Sequence, residues 1–331
     1  MAVRRALRSA AALVLALGVA CALPLAASAY ATVAFTIADS RITESSGLAT
    51  DPGAGRYWTV NDSGASGVAY LLSIRGKVTG TLEYSAQPVD VEAVALHDGR
   101  LYLADIGDNT EDRDSVTVYY FDDARPGNRT VGYRSWDFTY PDGPHDAETL
   151  LVDASGRLFV VTKDAEGAVY AAPRQPSRSG INQLTRVGDA PAAVTDGTFL
   201  PGGKRIALLT YGAIEVVDAE TYKRLGQLDI PVQAQPESIT VSLDKSSLLV
   251  GSEGRRSRVY SIPIPTKESA SPKPTPGKSS STPTAEPEPS DVPTDAEPSS
   301  GRSRAGTLMA LGIAGIVAGI SGAVVALVHK P

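Results

Sequence analysis

Carboxylates recur along the middle of this chain at intervals that could bring them together. Glu44-Ser-Ser-Gly-Leu, Glu92-Ala-Val-Ala-Leu, Glu148-Thr-Leu-Leu-Val, Asp196-Gly-Thr-Phe-Leu and Glu237-Ser-Ile-Thr-Val each set an acid before an apolar run. The acids stand 48, 56, 48 and 41 residues apart. Further oxygen-bearing groups follow, in Asn61-Asp62-Ser63-Gly64, Asp105-Ile106-Gly107-Asp108-Asn109 and Thr162-Lys163-Asp164. Like charges brought close repel, so a cation, a lysine or arginine, or backbone N–H groups must offset them. Asp, Glu and Asn oxygens suit Ca²⁺ or Mg²⁺ better than Zn²⁺. The candidates for touching a ligand are Asp62, Asp108, Asn109 and Lys163. The competing role is structural, with each leading acid capping a turn by accepting backbone hydrogen bonds. Asp90 and Glu92, like Asp146 and Glu148, sit two residues apart, so each pair can face one side of a strand.

Other catalytic signatures are missing. Asp105–Glu111 contains Asp-x-x-Asp-Asn but not the spacing of an EF-hand loop. There is no Gly-x-Ser-x-Gly elbow, HExxH pair or P-loop. His145 precedes Asp146 and Glu148 and could join a site, whereas His97, in His97-Asp98-Gly99, reads as surface. The single cysteine, Cys21, lies in the apolar N-terminal stretch, which removes disulfides and thiol chemistry from a mature chain.

The elements that must position these groups read as strands. After each acidic leader a second apolar run follows (Tyr57-Trp-Thr-Val, Leu101-Tyr-Leu, Leu158-Phe-Val-Val, Ile206-Ala-Leu-Leu, Leu248-Leu-Val), then a third, then a looser fourth. The runs are short, rich in β-branched and aromatic residues, and separated by Gly, Asp, Asn and Pro. Four strands repeating at this interval predict an all-β fold, a β-propeller of five blades with six as the alternative. The last blade lacks its fourth strand, and Ala31–Ala38 is a spare strand that can supply it and close the ring. In such blades the first strand begins where the second ends, so the acidic leaders and the following loops should crowd one mouth of the central channel.

The ends of the chain carry an address. Residues 1–29 read as a secretory signal peptide, with Arg4, Arg5 and Arg8 before an apolar run and Ala27-Ser28-Ala29 at the cleavage site. Residues 30–264 form the propeller domain. Residues 265–305 are a Pro/Ser/Thr-rich stalk that cannot bury a core. Residues 306–328 are a transmembrane helix; its uncharged run Thr307–Val328 reaches about 33 Å at ~1.5 Å per residue. Residues 329–331 are the cytoplasmic tail. This predicts a bacterial cell-membrane protein, single-pass, with the propeller outside and a wall component, glycan or protein as partner. The formal net charge of −6 argues against nucleic acid, which calls for a basic footprint.

The segments "DVEAVALHDGRLYLADIGDN" and "DAETLLVDASGRLFVVTKD" resemble the blade signature of secreted bacterial propellers related to the NHL, gluconolactonase-like and phytase-esterase-like groups. The resemblance spans about Thr43–Ile264 and is sharpest in the second and third blades. It implies a divalent ion in the channel mouth, near Glu44, Glu92, Asp105 and Glu148, although no complete ligand set matches residue by residue. Propeller signatures are shared across many activities, so fold follows more firmly than function. Two functions remain: a surface interaction module with a structural cation, or a metal-assisted hydrolase of a lactone, ester or phosphoester. The missing nucleophile favours the first.

Overall fold

In the computed structural model, the described residues are 31–62, 67–122, 124 and 129–264. The signal peptide, the stalk, the membrane helix and the tail expected from the sequence lie outside them, as do Ser63 and Gly64. Among the described residues there is no helix, and none is long and apolar enough to cross a membrane.

The chain opens with β1 (Thr32–Ile37) and then lays down the first blade, β2 (Ser45–Asp51), β3 (Arg56–Asn61), β4 (Val68–Leu72) and β5 (Val78–Tyr84). The second blade holds β6 (Val91–His97), β7 (Arg100–Asp105) and β8 (Val116–Phe121); after the short β9 (Arg129–Val131) it is completed by β10 (Arg134–Thr139). The third blade holds β11 (Ala147–Val152), β12 (Leu158–Thr162) and β13 (Ala168–Ala171), with β15 (Thr185–Asp189) outermost after the two-residue β14 (Asn182–Gln183). The fourth is β16 (Val194–Phe199), β17 (Arg205–Thr210), β18 (Ala213–Asp218) and β19 (Arg224–Asp229). The fifth is β20 (Pro236–Val241), β21 (Ser247–Ser252) and β22 (Ser257–Pro263). Five sheets result, so the blade count is five.

The ring closes as the spare strand predicts. β1 pairs antiparallel with β22, from Thr32↔Ser261 to Ile37↔Ser257, and so becomes the outer strand of the fifth blade. Its Phe35 ring stacks on Tyr57 of the first blade at 5.6 Å, so the joint is packed as well as hydrogen-bonded. One feature is not written in the period: β9 adds in parallel to the outer edge of β5, and β14 to that of β10. Each comes from the chain that builds the following blade and covers an edge that would otherwise be open.

The cores lie between blades, and strand alternation builds them. On β7, Leu101 and Leu103 pack toward the first blade while Tyr102 and Ala104 pack toward the third. On β17, Ile206 and Leu208 face the third blade and Ala207 and Leu209 the fifth. Both faces of these second strands are thus buried, which is why their runs read as nearly continuous apolar sequence.

The inner strands β2, β6, β11, β16 and β20 pack in that order around the axis, and β20 meets β2. Each carries a β-bulge near its start, at Gly47, Glu92, Glu148, Thr195 and Glu237. A bulge leaves one residue unpaired and re-aims its side chain. In β2 that residue must be glycine: Gly47 has φ +71° and a Cβ there would meet the Val94 nitrogen at 2.8 Å. The unpaired residues of β6, β11 and β20 are glutamates. At its start each inner strand is paired with the end of its second strand, so the predicted mouth exists. The described chain ends lie at the opposite face, where Thr32 pairs with Ser261 and Pro263 with Ser247.

Candidate functional site at the channel mouth

Asp62, at the end of β3, meets Asp90 and Glu92, at the start of β6. One carboxylate oxygen from each lies within 4.8 Å of the others. Sequence and bulge together bring them there: Glu92 is the unpaired residue of β6, and Asp90 precedes it by two. Gly107, after β7, forms the floor. A Cβ on Gly107 would stand 2.5 Å from Asp90 Oδ2 and 2.7 Å from Glu92 Oε1, so only a glycine lets the backbone approach the carboxylates this closely. Asn109 Nδ2 donates to Asp90 Oδ2 at 3.4 Å.

Crowding shows in the proton affinities. Burial, then the charge of Asp62 and a hydrogen bond with it, push the Asp90 carboxyl up to about 7. Burial pushes Glu92 well above the usual range, with Asp62, Glu148 and Asp90 adding to it. All three residues offer oxygen, and the floor is backbone. This donor set and the glycine cradle fit a hard divalent cation held by Asp62, Asp90 and Glu92.

The acidic arc continues around the mouth. Glu148 pairs with the Lys163 ammonium, which also lies 5.6 Å from the centroid of the Tyr211 ring. Burial raises the Glu148 carboxyl to about 8, with Lys163 pulling the other way and Glu237 and Asp146 adding. Burial opposes the charge on Lys163, but Glu148 outweighs it and holds the ammonium protonated. Farther round, burial and a hydrogen bond with Glu237 raise Glu253 to about 9.

The remaining sequence candidates stand around and beneath the trio. Glu44 is exposed and stands outside the trio; its carbonyl accepts the Asp62 N–H at 2.8 Å. Asp105 is buried beneath the site, its two oxygens accepting the N–H groups of Val89 and Asp90 at 3.0 Å each. The Asp108 carboxylate accepts the N–H groups of Asp112 and Arg113, at 3.1 and 2.9 Å. Asp196 follows the bulge of β16 by one residue and is turned inward. Its carboxylate accepts the N–H of Ile239 at 2.7 Å and that of Gly197 at 2.7 Å, and it also takes the N–H of Leu48. It ties the fourth blade to the fifth and the first.

His145 sits beside the mouth rather than in it. Its Nδ1 is 2.8 Å from Asp164 Oδ2 and its Nε2 3.2 Å from Asp142 Oδ1, while the Tyr170 hydroxyl donates to Asp142 Oδ2 at 2.8 Å. This network fastens the loop before β11 to the loop after β12. Asp146, next in the chain, accepts the Asp108 N–H at 2.8 Å.

No protein-family model matches the chain, and no curated protein matches it. A solved structure of a gluconolactonase from Xanthomonas campestris is similar to it, with 12% identity over 71% of this chain and 89% of that one, and a TM-score of 0.44.

Proposed function

We propose that this protein is an extracytoplasmic binding module whose ligand docks on the acidic channel mouth through a divalent cation held by Asp62, Asp90 and Glu92. The observation that carries the reading is the trio itself, three carboxylates within 4.8 Å of one another over a glycine floor. Bound there, a cation would supply a charged centre for an oxygen-bearing ligand. The chain's own residues shape what it meets: Asn109 flanks Asp90, and Lys163 and Tyr211 stand across the arc. Both described chain ends lie at the face opposite the mouth, and the partner that the mouth would meet is a wall component, glycan or protein. Equilibrium dialysis against Ca²⁺ and Mg²⁺ tests the reading: saturable binding supports it, and none at millimolar cation contradicts it.

A second reading, a metal-assisted hydrolase, draws support from Glu148. Its carboxyl, raised to about 8 beside Lys163, can hold or release a proton near neutral pH. A lactone, ester and phosphoester screen separates the readings. Turnover lost in Glu148→Gln with the fold intact establishes the hydrolase, and no turnover on any class leaves binding as the function.

A further inference from the structure

Arg113 lies in the loop between β7 and β8, outside the trio, and its side chain is only 15% exposed. Nη1 donates to the Gly107 carbonyl at 2.6 Å, and Nη2 reaches the Asp105 carbonyl at 3.3 Å and Asp105 Oδ1 at 2.9 Å. Both partners bear directly on Asp90. The Asp105 carboxylate holds the N–H groups of Val89 and Asp90. Gly107 donates its N–H to the Asp90 carbonyl at 3.2 Å and presents the floor on which the Asp90 and Glu92 carboxylates rest. The backbone of Arg113 is fixed in turn, its N–H donated to Asp108, whose own N–H is held by Asp146 of the third blade.

We infer that Arg113 is the positioning residue of the cation site: its forked guanidinium clamps Asp105 and Gly107, and through them sets where the Asp90 carboxylate stands. The inference rests on the cation reading of the mouth and adds to it a residue that touches neither cation nor ligand. A planar fork with fixed N–H directions can hold a carboxylate and a carbonyl at once; an ammonium of the same charge cannot reproduce that geometry.

Charge and position make opposite predictions. Arg113 is a positive charge close enough to Asp90 to favour that carboxylate's ionised form. Acting by charge alone, it would repel a divalent cation, so its removal would tighten binding. Acting as a clamp, its removal weakens binding despite the relief of repulsion.

The test compares wild type with Arg113→Lys and Arg113→Met at pH 8.5, by calorimetric Ca²⁺ titration and by amide hydrogen exchange without Ca²⁺. The clamp predicts a Ca²⁺ affinity at least tenfold weaker in both variants. It also predicts faster exchange confined to the Val89 and Asp90 amides, which a general loss of stability would not confine. Should Arg113→Met fail to fold, Arg113→Lys and Asp105→Asn carry the test, and Asp105→Asn should show the same two changes. Wild-type affinity and unchanged exchange in Arg113→Lys overturn the role of Arg113, as does tighter binding in Arg113→Met. A wild-type protein that binds no Ca²⁺ overturns the cation reading itself.

Discussion

The Cα of Gly107 stands against the carboxylate of Asp90, so close that a methyl group there would lie 2.5 Å from Asp90 Oδ2. The atoms that would have to give way are the ends of the Asp90 and Glu92 side chains, not backbone. Gly107→Ala should therefore fold, with its thermal midpoint within a few degrees of wild type, while Ca²⁺ affinity falls at least tenfold. Parallel melting and calorimetry check this. An alanine variant that binds Ca²⁺ normally would show that the carboxylates do not need the glycine floor.

The raised carboxyls predict an acid-favoured stability in the cation-free protein. Asp90 at about 7, Glu148 at about 8 and Glu253 at about 9 all lie above their ordinary values near 4. Between those limits the folded state binds more protons than the unfolded chain, so stability falls as pH rises. Their contribution is complete below about pH 4 and lost by about pH 9. Asp39 and Asp153, held low chiefly by hydrogen bonds, act at the acid end, below this window. The thermal midpoint without metal should drop from pH 5 to pH 9, and added Ca²⁺ should raise it more at pH 9 than at pH 5. A midpoint that climbs across this range contradicts the crowding.

Asp196 predicts a stability loss independent of metal. Its carboxylate, fully inside the protein, accepts N–H groups from Gly197, Ile239 and Leu48. Leaving a buried donor unsatisfied costs ~1–3 kcal/mol. Asp196→Ala should thus lose roughly 3 kcal/mol or more in urea unfolding, and Asp196→Asn, which keeps one acceptor oxygen, distinctly less. Equal losses would mean that the hydrogen bonds are not what matters.

Closure by β1 is testable at Ile37, which is 1% exposed in the layer between the fifth and first blades. Ile37→Ala should cost about 2–5 kcal/mol. A loss below ~1 kcal/mol, in the range of an exposed site, would mean that β1 is not docked in solution.

Much of this was legible in the sequence because a propeller repeats. Acidic leaders at a recurring interval, each before an apolar run, carried the blade count, and the spare strand before Glu44 carried the closure. The site was legible in its chemistry and less so in its membership. Asp62, Glu92 and the Asp90-x-Glu92 spacing all point to the mouth. Counting along a strand cannot anticipate a bulge, however, and one extra residue exchanges the faces that follow. Thus Glu92 and Glu148 are the unpaired residues of their strands, whereas Asp196 falls one place later and is turned into the channel. Glu44 precedes β2, whose own bulge is taken by Gly47, and it stays exposed. Arg113 belongs to no repeat. Its role depends on a loop conformation set by Asp108, which no periodicity encodes.

A divalent cation held jointly by Asp62, Asp90 and Glu92 is what the proposed function requires of the mouth. Its most direct test is calorimetric titration of Ca²⁺ and Mg²⁺ into the wild-type protein and the double variant Asp90→Asn/Glu92→Gln at pH 8.5. The wild type should show one saturable site and the variant none, and the variant should also melt at a higher temperature than metal-free wild type because its repulsion is gone. Matching heats of binding in the two proteins would contradict it.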